Sequence, residues 1–180
     1  MDKIINKTSK YLSFVLRHRP DSIGLALDEF GWASTHELIA KTKDIELNDV
    51  ILQRVVQTND KQRFALSEDG KKIRANQGHS IDINLALTPA IPPKILLHGT
   101  AERFVSSIKQ QGLVRKNRHH VHLSASEDVA ISVGSRYGRP VVLKIDSESM
   151  VSAGHIFYRT ANHVWLTENV PPQFIGFPTE

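Results

Sequence analysis

Residues 118–124 read RHHVHLS, with three histidines directly after an arginine. On a β-strand, His120 and His122 would share one face, and His98 could complete a three-ligand metal site. Residues 103–126 contain five Lys or Arg and no Asp or Glu, however, and this charge would oppose a bound Zn²⁺. The pattern therefore favours an anionic ligand, and we predict no metal. A solvated basic surface would produce the same charge pattern.

Three arginines, Arg17, Arg63 and Arg118, each stand beside the end of a predicted helix or strand. Arginine binds phosphate oxygens through two parallel hydrogen bonds, so such a group could hold a phosphate or an RNA strand. Arg17 and His18 would lie at a helix C-terminus, where the backbone dipole favours positive charge. For any one of these arginines, a surface ion pair is the more common role.

A nucleotide site is a further candidate at His98, Gly99 and Thr100, where a predicted strand meets a predicted helix. A glycine at this junction would let a ligand approach the backbone closely. Three residues alone are a weak signal, because turns of this composition are also common structural features.

The composition is that of an ordinary globular protein, with 180 residues, of which 40% are hydrophobic and 23% are charged. The absence of cysteine excludes disulfides and thiolate metal sites. No apolar run approaches the roughly 18 residues that a membrane helix needs, and the first residues lack a signal-peptide core. We therefore expect a cytoplasmic protein that does not bind membranes. A monomer is a separate expectation, which these observations do not establish.

The first half of the sequence predicts helices followed by a small hairpin. Pro20 disfavours the helical conformation in the residue before it, and Ser34 with Glu37 forms a capping box. Asp69-Gly70 is typical of a hairpin turn. We predict helices that end near residue 17 and cover about 34–42 and 47–58. Helices followed by a basic hairpin resemble a winged helix, which by itself names no function.

The second half predicts an α+β domain of short strands and helices. KILLHGT, HVHLS, PVVLKID, HVWLT and FIGF are typical of strands, with helices at about 101–112 and 126–136. Three prolines close residues 80–93, which we interpret as a linker. We therefore predict one domain over residues 1–88 and a second over residues 94–180.

Six motifs, in this order and spacing, make the chain resemble the RNA 2′-phosphotransferase family of the tRNA-splicing type along nearly its whole length. Each motif is short, but a joint coincidence is improbable. They are Leu16-Arg17-His18, Asp60-Lys61-Gln62-Arg63-Phe64, Gln77-Gly78-His79-Ser80, His98-Gly99-Thr100, Arg118 with Val121-His122-Leu123-Ser124, and Val164-Trp165-Leu166-Thr167.

The resemblance implies an enzyme that removes an internal 2′-phosphate from RNA by transferring it to NAD through an ADP-ribosylated RNA. The products would be RNA with a 2′-hydroxyl, nicotinamide and ADP-ribose 1″,2″-cyclic phosphate. It also implies a winged-helix-like N-terminal lobe and an ADP-ribosyltransferase-like C-terminal lobe with a mixed or antiparallel β core. Carried over by motif, the residues at the RNA phosphate would be Arg17, His18, Arg63 and Arg118, and those in the NAD pocket His98, Gly99, Thr100, His122 and Ser124.

Two further residues belong to the expected NAD site. Val164 stands where related protein-modifying enzymes carry a glutamate, and Arg136 could reach a pyrophosphate or pair with an acid such as Glu127. A missing carboxylate is expected, because an RNA 2′-phosphate has a second pKa of about 6 and attacks without a general base. His18 could stabilise the phosphate or protonate the leaving oxygen, and the sequence favours neither role.

Two other functions remain as alternatives. An ADP-ribosyltransferase acting on phosphorylated nucleic-acid ends would keep the NAD lobe and stop after the first transfer. A winged-helix nucleic-acid-binding module would lack catalysis altogether. Residues 1–88 hold 13 basic and 12 acidic residues, which is little positive charge for a protein that must neutralise many duplex phosphates.

Overall fold

A computed structural model describes residues 2–179, which form helices and short antiparallel sheets. The predicted α+β class is therefore confirmed. The chain divides into two compact units, one extending to Ala86 and the other beginning at Leu87. Within the described residues, no helix combines the length and the apolar character needed to cross a membrane.

The first unit consists of three α-helices, a short 3-10 helix and a three-stranded antiparallel sheet. Its helices are α1 (Asp2–Arg17), α2 (Thr35–Lys41) and α3 (Asp49–Thr58), and its strands are β1 (Ala33–Ser34), β2 (Phe64–Leu66) and β3 (Lys72–Ala75). The strand order is β1-β3-β2. Apolar residues from both layers form one core, in which Leu12, Leu16, Leu38 and Ile73 are fully buried.

Local sequence signals account for most boundaries in this unit. The Ser34 hydroxyl accepts the backbone N–H of Glu37 and begins α2, and α1 ends at Arg17. Gly70 adopts a φ of 70° in the turn between β2 and β3, as the Asp69-Gly70 pair predicts. The three predicted helices and the hairpin are thus confirmed.

The second unit contains two three-stranded antiparallel sheets and a two-stranded pair. Their strand orders are β11-β7-β4, β6-β9-β8 and β10-β5. The strands are β4 (Ile95–Ala101), β5 (Leu113–Val114), β6 (Val121–Leu123), β7 (Pro140–Asp146), β8 (Phe157–Arg159), β9 (Trp165–Thr167), β10 (Asn169–Val170) and β11 (Ile175–Gly176), and the helices are α4 (Val105–Gln111), α5 (Glu127–Gly134) and α6 (Ser147–Ser152). Helix α5 is shorter than predicted, and α6, β5, β8 and β10 are additions to the predicted elements.

The two larger sheets of the second unit meet at one point. Leu97 of β4 and Ser124, just after β6, exchange both backbone hydrogen bonds, at N–O distances of 2.7 and 2.9 Å. An antiparallel continuation would pair Gly99 with His122, but within residues 2–179 the only pairing of β4 with this segment is the Leu97–Ser124 bridge. The two strands therefore separate after the bridge and leave a split between β4 and β6.

The segment between β3 and β4 is hydrogen-bonded along its length. Ser80 donates its N–H to the carbonyl of Arg17, and Asn84 donates to that of Glu29 in the first unit. Ala90 donates to the carbonyl of Phe157 in the second unit. Its ends are therefore held by the units to which they belong.

Candidate functional site

Arg17 and His18 lie at the end of α1 against the segment 76–80, which contains the QGHS motif. Gly78 has a φ of 88°, and a Cβ there would lie 3.4 Å from the guanidinium carbon of Arg17. The Ser80 hydroxyl lies 2.8 Å from His18 Nδ1 and forms a hydrogen bond with it. A larger residue at position 78 would be strained and would crowd the arginine, so the motif shapes the space around both side chains.

Arg63 precedes β2 and is held by the same segment. The Asn76 backbone N–H donates to the Arg63 carbonyl over 2.8 Å, and its side-chain Nδ2 donates to the Gln62 carbonyl over 2.6 Å. Gln62 has a φ of 43°, which is unusual for a residue with a side chain. Asn76, only 7% exposed, therefore holds an otherwise unfavourable turn that leads into Arg63.

The structure thus gathers three of the four predicted phosphate residues, Arg17, His18 and Arg63, around residues 76–80. Two residues that hold them, Asn76 and Ser80, were not assigned roles from the sequence. Ser80 belongs to a recognised motif, but its partner is 62 positions away, and nothing local signals that hydrogen bond. The left-handed backbone conformation of Gln62 was not predicted either, because glutamine is not typical of that conformation.

His98 and His122 come together in the second unit where β4 and β6 separate. His98 Nδ1 lies 3.0 Å from the His122 carbonyl oxygen. Burial lowers the pKa of His98, the hydrogen bond to His122 opposes this, and the charge of Arg118 lowers it further. His98 is therefore neutral at pH 7. Because Nδ1 must carry the proton that it donates to a carbonyl, Nε2 is a hydrogen-bond acceptor.

Gly99 and Thr100 are buried beneath α5. A Cβ at Gly99 would lie 1.7 Å from the Ala130 carbonyl oxygen, and a Cβ at Gly134 would lie 2.5 Å from that of Thr100. The sequence suggested that Gly99 makes room for a ligand; on the side where a side chain would project, the structure shows helix backbone instead. These glycines allow α5 and β4 to pack at backbone distance.

Ser124 and Val164 lie at the same end of the β6–β9 pair, because Leu123 is paired with Trp165. The Ser124 hydroxyl accepts the N–H of Ser126 and shapes the turn into α5. Val164, which is half-buried, exchanges hydrogen bonds with Thr160 across the turn before β9.

The remaining two predicted residues are exposed arginines. The Arg118 N–H donates to the Arg115 carbonyl in a turn before β6, and the charge of Arg118 is close enough to lower the pKa of His98. Arg136 follows α5 and forms no ion pair with Glu127 in the part of the chain that the structure describes. Of its two predicted roles, ion pairing with Glu127 is thus not seen.

The histidine motif divides in two. Strand β6 covers only Val121–Leu123, and His119 and His120, which precede it, both line a groove that His122 does not line. His120 and His122 were predicted to share one face of a strand, but they do not line the same groove. Among residues 2–179, no three His, Asp or Glu side chains are grouped as metal ligands.

Comparison with known proteins places these residues in a family. The model of the family described as RNA 2′-phosphotransferase, Tpt1 / KptA family, matches residues 3–169. The chain belongs to the RNA 2′-phosphotransferase family. All six motifs lie within the matched residues, so the family resemblance inferred from them is confirmed.

Curated relatives resemble this RNA 2′-phosphotransferase family member along almost their whole length. A probable RNA 2′-phosphotransferase of Acaryochloris marina is 52% identical over 97% of this chain and 97% of its own. A protein of the same description from Pseudomonas aeruginosa PAO1 is 54% identical over 96% of this chain and 97% of its own. A third, from Flavobacterium johnsoniae, is 48% identical over 98% of both chains.

Proposed function

We propose that the protein removes an internal 2′-phosphate from RNA by transferring it to NAD, with ADP-ribosylated RNA as the intermediate. The products are RNA with a 2′-hydroxyl, nicotinamide and ADP-ribose 1″,2″-cyclic phosphate. The observation that carries this proposal is the grouping of Arg17, His18 and Arg63 around residues 76–80 in a member of this family. The first unit acts as a winged-helix-like lobe and the second as an ADP-ribosyltransferase-like lobe.

Arg17, His18, Arg63 and Arg118 act on the RNA 2′-phosphate in this proposal. Guanidinium groups suit the reaction because charge moves onto the phosphoryl oxygens as the RNA 2′-oxygen leaves, and fixed cations stabilise that charge. Positioning by Asn76 and Ser80 supports the proposal, since preorganised groups need no rearrangement during the reaction. His18 stabilises the phosphate or protonates the leaving oxygen.

The split between β4 and β6 offers groups that fit NAD. Leu97 directs its N–H and C=O towards Ser124, so the alternation of a strand directs those of Gly99 towards the same edge, into the split. A strand edge with one donor and one acceptor matches the carboxamide of nicotinamide. Neutral His98 supplies an acceptor at Nε2, which suits a ribose hydroxyl.

The other residues assigned to NAD are Thr100, His122, Ser124, Arg136 and Val164. Bound NAD supplies the electrophilic ribose carbon. The aliphatic side chain of Val164 leaves its position without negative charge, and this favours the approach of an anionic phosphate. The absence of a base at this position is tolerable, because the nucleophile is already ionised near neutral pH.

The test is incubation of the purified protein with a short RNA that carries one internal 2′-phosphate, with and without NAD. Both RNA and nucleotide products are followed. We expect phosphate loss only with NAD, together with formation of ADP-ribose cyclic phosphate. Stable ADP-ribosylated RNA would instead show a transferase that stops after the first step. RNA binding without any reaction would show a binding module.

A further inference from the structure

A groove of about 280 Å³ in the second unit is lined by none of the residues assigned above to the RNA phosphate or to NAD. It lies where β6 begins and β9 ends. Val164 precedes β9, whereas the groove is lined by Thr167 and the two residues after it, about 10 Å further along the strand. We call it the histidine groove, and its side chains with relevant chemistry are Arg115, His119, His120, His155, Tyr158 and Glu168.

One wall of the histidine groove is aromatic. The rings of His120 and Tyr158 meet edge to face, with centroids 5.5 Å apart and planes at 66°. Burial lowers the pKa of His120, His119 and Arg115 add to this effect, and Glu168 opposes it. Flat, uncharged rings of this kind form a surface on which a nucleic-acid base can stack.

The other groups suit the remainder of a nucleotide. The exposed guanidinium of Arg115 can bind a phosphate. Glu168 is the one acidic side chain among the lining residues, and its carboxylate can accept hydrogen bonds from a base amino group or a ribose hydroxyl. An aromatic wall, a cation and an acceptor together match a nucleotide better than a bare anion, which Glu168 would repel.

A single turn connects the histidine groove with the proposed phosphate site. The Arg118 N–H donates to the Arg115 carbonyl over 3.0 Å, and Lys116 between them has a φ of 52°. This hydrogen bond defines a β-turn, so the Cα atoms of Arg115 and Arg118 lie within about 7 Å. Arg118, at one end of the turn, is thus proposed to bind the 2′-phosphate, and Arg115, at the other end, lines the groove.

We propose that the histidine groove binds a nucleotide of the RNA substrate next to the one that carries the 2′-phosphate. This proposal rests on the proposed function, because it assumes that Arg118 contacts the 2′-phosphate. The base stacks on His120 and Tyr158, and its backbone phosphate is bound by Arg115. The groove therefore selects RNA with a flanking nucleotide over the smallest phosphorylated substrate.

The test compares a dinucleotide with an internal 2′-phosphate and hexanucleotides extended on either side. For the wild type, we expect one of the two hexanucleotides, the one whose extension reaches the groove, to have a kcat/KM about tenfold higher than that of the dinucleotide. This is the scale of one stacked base. Arg115→Ala and His120→Ala should each remove most of this preference. Lys116→Ala is the matched control, because it removes one charge from the same turn without changing the groove lining, and it should keep the preference.

Binding of fluorescently labelled hexanucleotide, measured by anisotropy without NAD, separates the two proposals. A wild type that removes no phosphate would contradict the proposed function, and weaker binding by Arg115→Ala and His120→Ala but not by Lys116→Ala would still support the groove. Equal binding by the wild type and all three variants would overturn the groove proposal. A raised KM for NAD, with an unchanged RNA length preference, would assign the groove to the adenosine of NAD and also overturn it.

Discussion

The hydroxyl of Ser80 orients a side chain proposed to act on the substrate. It forms a hydrogen bond with His18 Nδ1 over 2.8 Å, while the Ser80 backbone N–H binds the carbonyl of Arg17. The first contact sets the direction of the imidazole ring, and the second holds the main chain that carries it. Ser80 is therefore a positioning residue, since it acts through His18.

We expect Ser80→Ala to lower kcat for 2′-phosphate removal by roughly tenfold, because one hydrogen bond of this kind contributes about 1–1.5 kcal/mol. The KM for NAD should stay unchanged, because Ser80 acts through His18, which is assigned to the RNA phosphate and not to NAD. Steady-state kinetics with varied NAD measures both constants. Ser80→Thr keeps the hydroxyl and should recover most of the activity; a wild-type kcat in Ser80→Ala would contradict the role.

We expect Arg63→Ala to reduce kcat by at least about a hundredfold, because removal of one preorganised hydrogen-bond donor to the transition state typically has an effect of this size. Folding should be retained, since Asn76 contacts Gln62 and Arg63 through their carbonyl groups, which the substitution preserves. Single-turnover assays and circular dichroism measure the two quantities. Arg19→Ala is the control, because the Arg19 side chain forms a surface ion pair with Asp21. Equal losses in both variants would argue against a specific role for Arg63.

Residue types indicated which side chains to consider, but not what holds them. Motifs singled out Arg17, His18 and Arg63, and the structure gathers them around one segment. Asn76 was missed, because its importance depends on a hydrogen bond to Gln62, a residue with a left-handed backbone conformation just before β2. Such a contact follows from tertiary packing and has no local sequence signal.

At the scale of elements, α5 and β4 pack at backbone distance through Gly99 and Gly134. At Gly99, an added methyl group would overlap the Ala130 carbonyl oxygen, at 1.7 Å, and a rigid helix backbone cannot move as a flexible side chain does. The helix begins at Glu127 after its cap Ser126, and the Ser126 N–H donates to the hydroxyl of Ser124. The position of α5 is therefore coupled to the strands that carry His98 and Ser124.

We expect Gly99→Ala to destabilise the protein by about 3 kcal/mol or more, because the overlap forces α5 away from β4. Urea denaturation measures the free energy of unfolding. Gly176→Ala provides the matched comparison in another strand, since a Cβ there would meet nothing closer than 3.5 Å. Similar stability of the two variants would show that α5 relaxes without cost.

The helices and turns that could be predicted are those whose boundaries carry a local sequence signal. A cap at Ser34, the turn at Gly70 and the predicted helix end near residue 112 each agree with a boundary in the structure. Helix α6 was missed, although Asp146 caps it, because its six residues directly follow the predicted strand PVVLKID. Strands β5 and β10 contain two residues each and depend on one another, so neither shows a periodicity of its own.

At the scale of the whole molecule, two partly buried histidines make stability depend on pH. Burial lowers the pKa values of His98 and His120, so below about pH 6.5 the unfolded chain binds more protons than the folded one. The free energy of unfolding should therefore fall on acidification, by at most about 1.4 kcal/mol per pH unit for each histidine. Urea denaturation between pH 5 and 8 measures it. His98→Asn keeps a donor for the His122 carbonyl and should weaken the dependence; an unchanged slope would contradict this origin.

Residues 76–84 determine where the first unit can be cut. A fragment that ended at Ala75 would contain every helix and strand of that unit. It would nevertheless lack Asn76, Ser80 and the Asn84 N–H that binds the Glu29 carbonyl. The side chains and backbone that orient Arg17, His18 and Arg63 are thus encoded after the last regular element. A fragment intended for RNA-binding measurements should extend to at least Asn84.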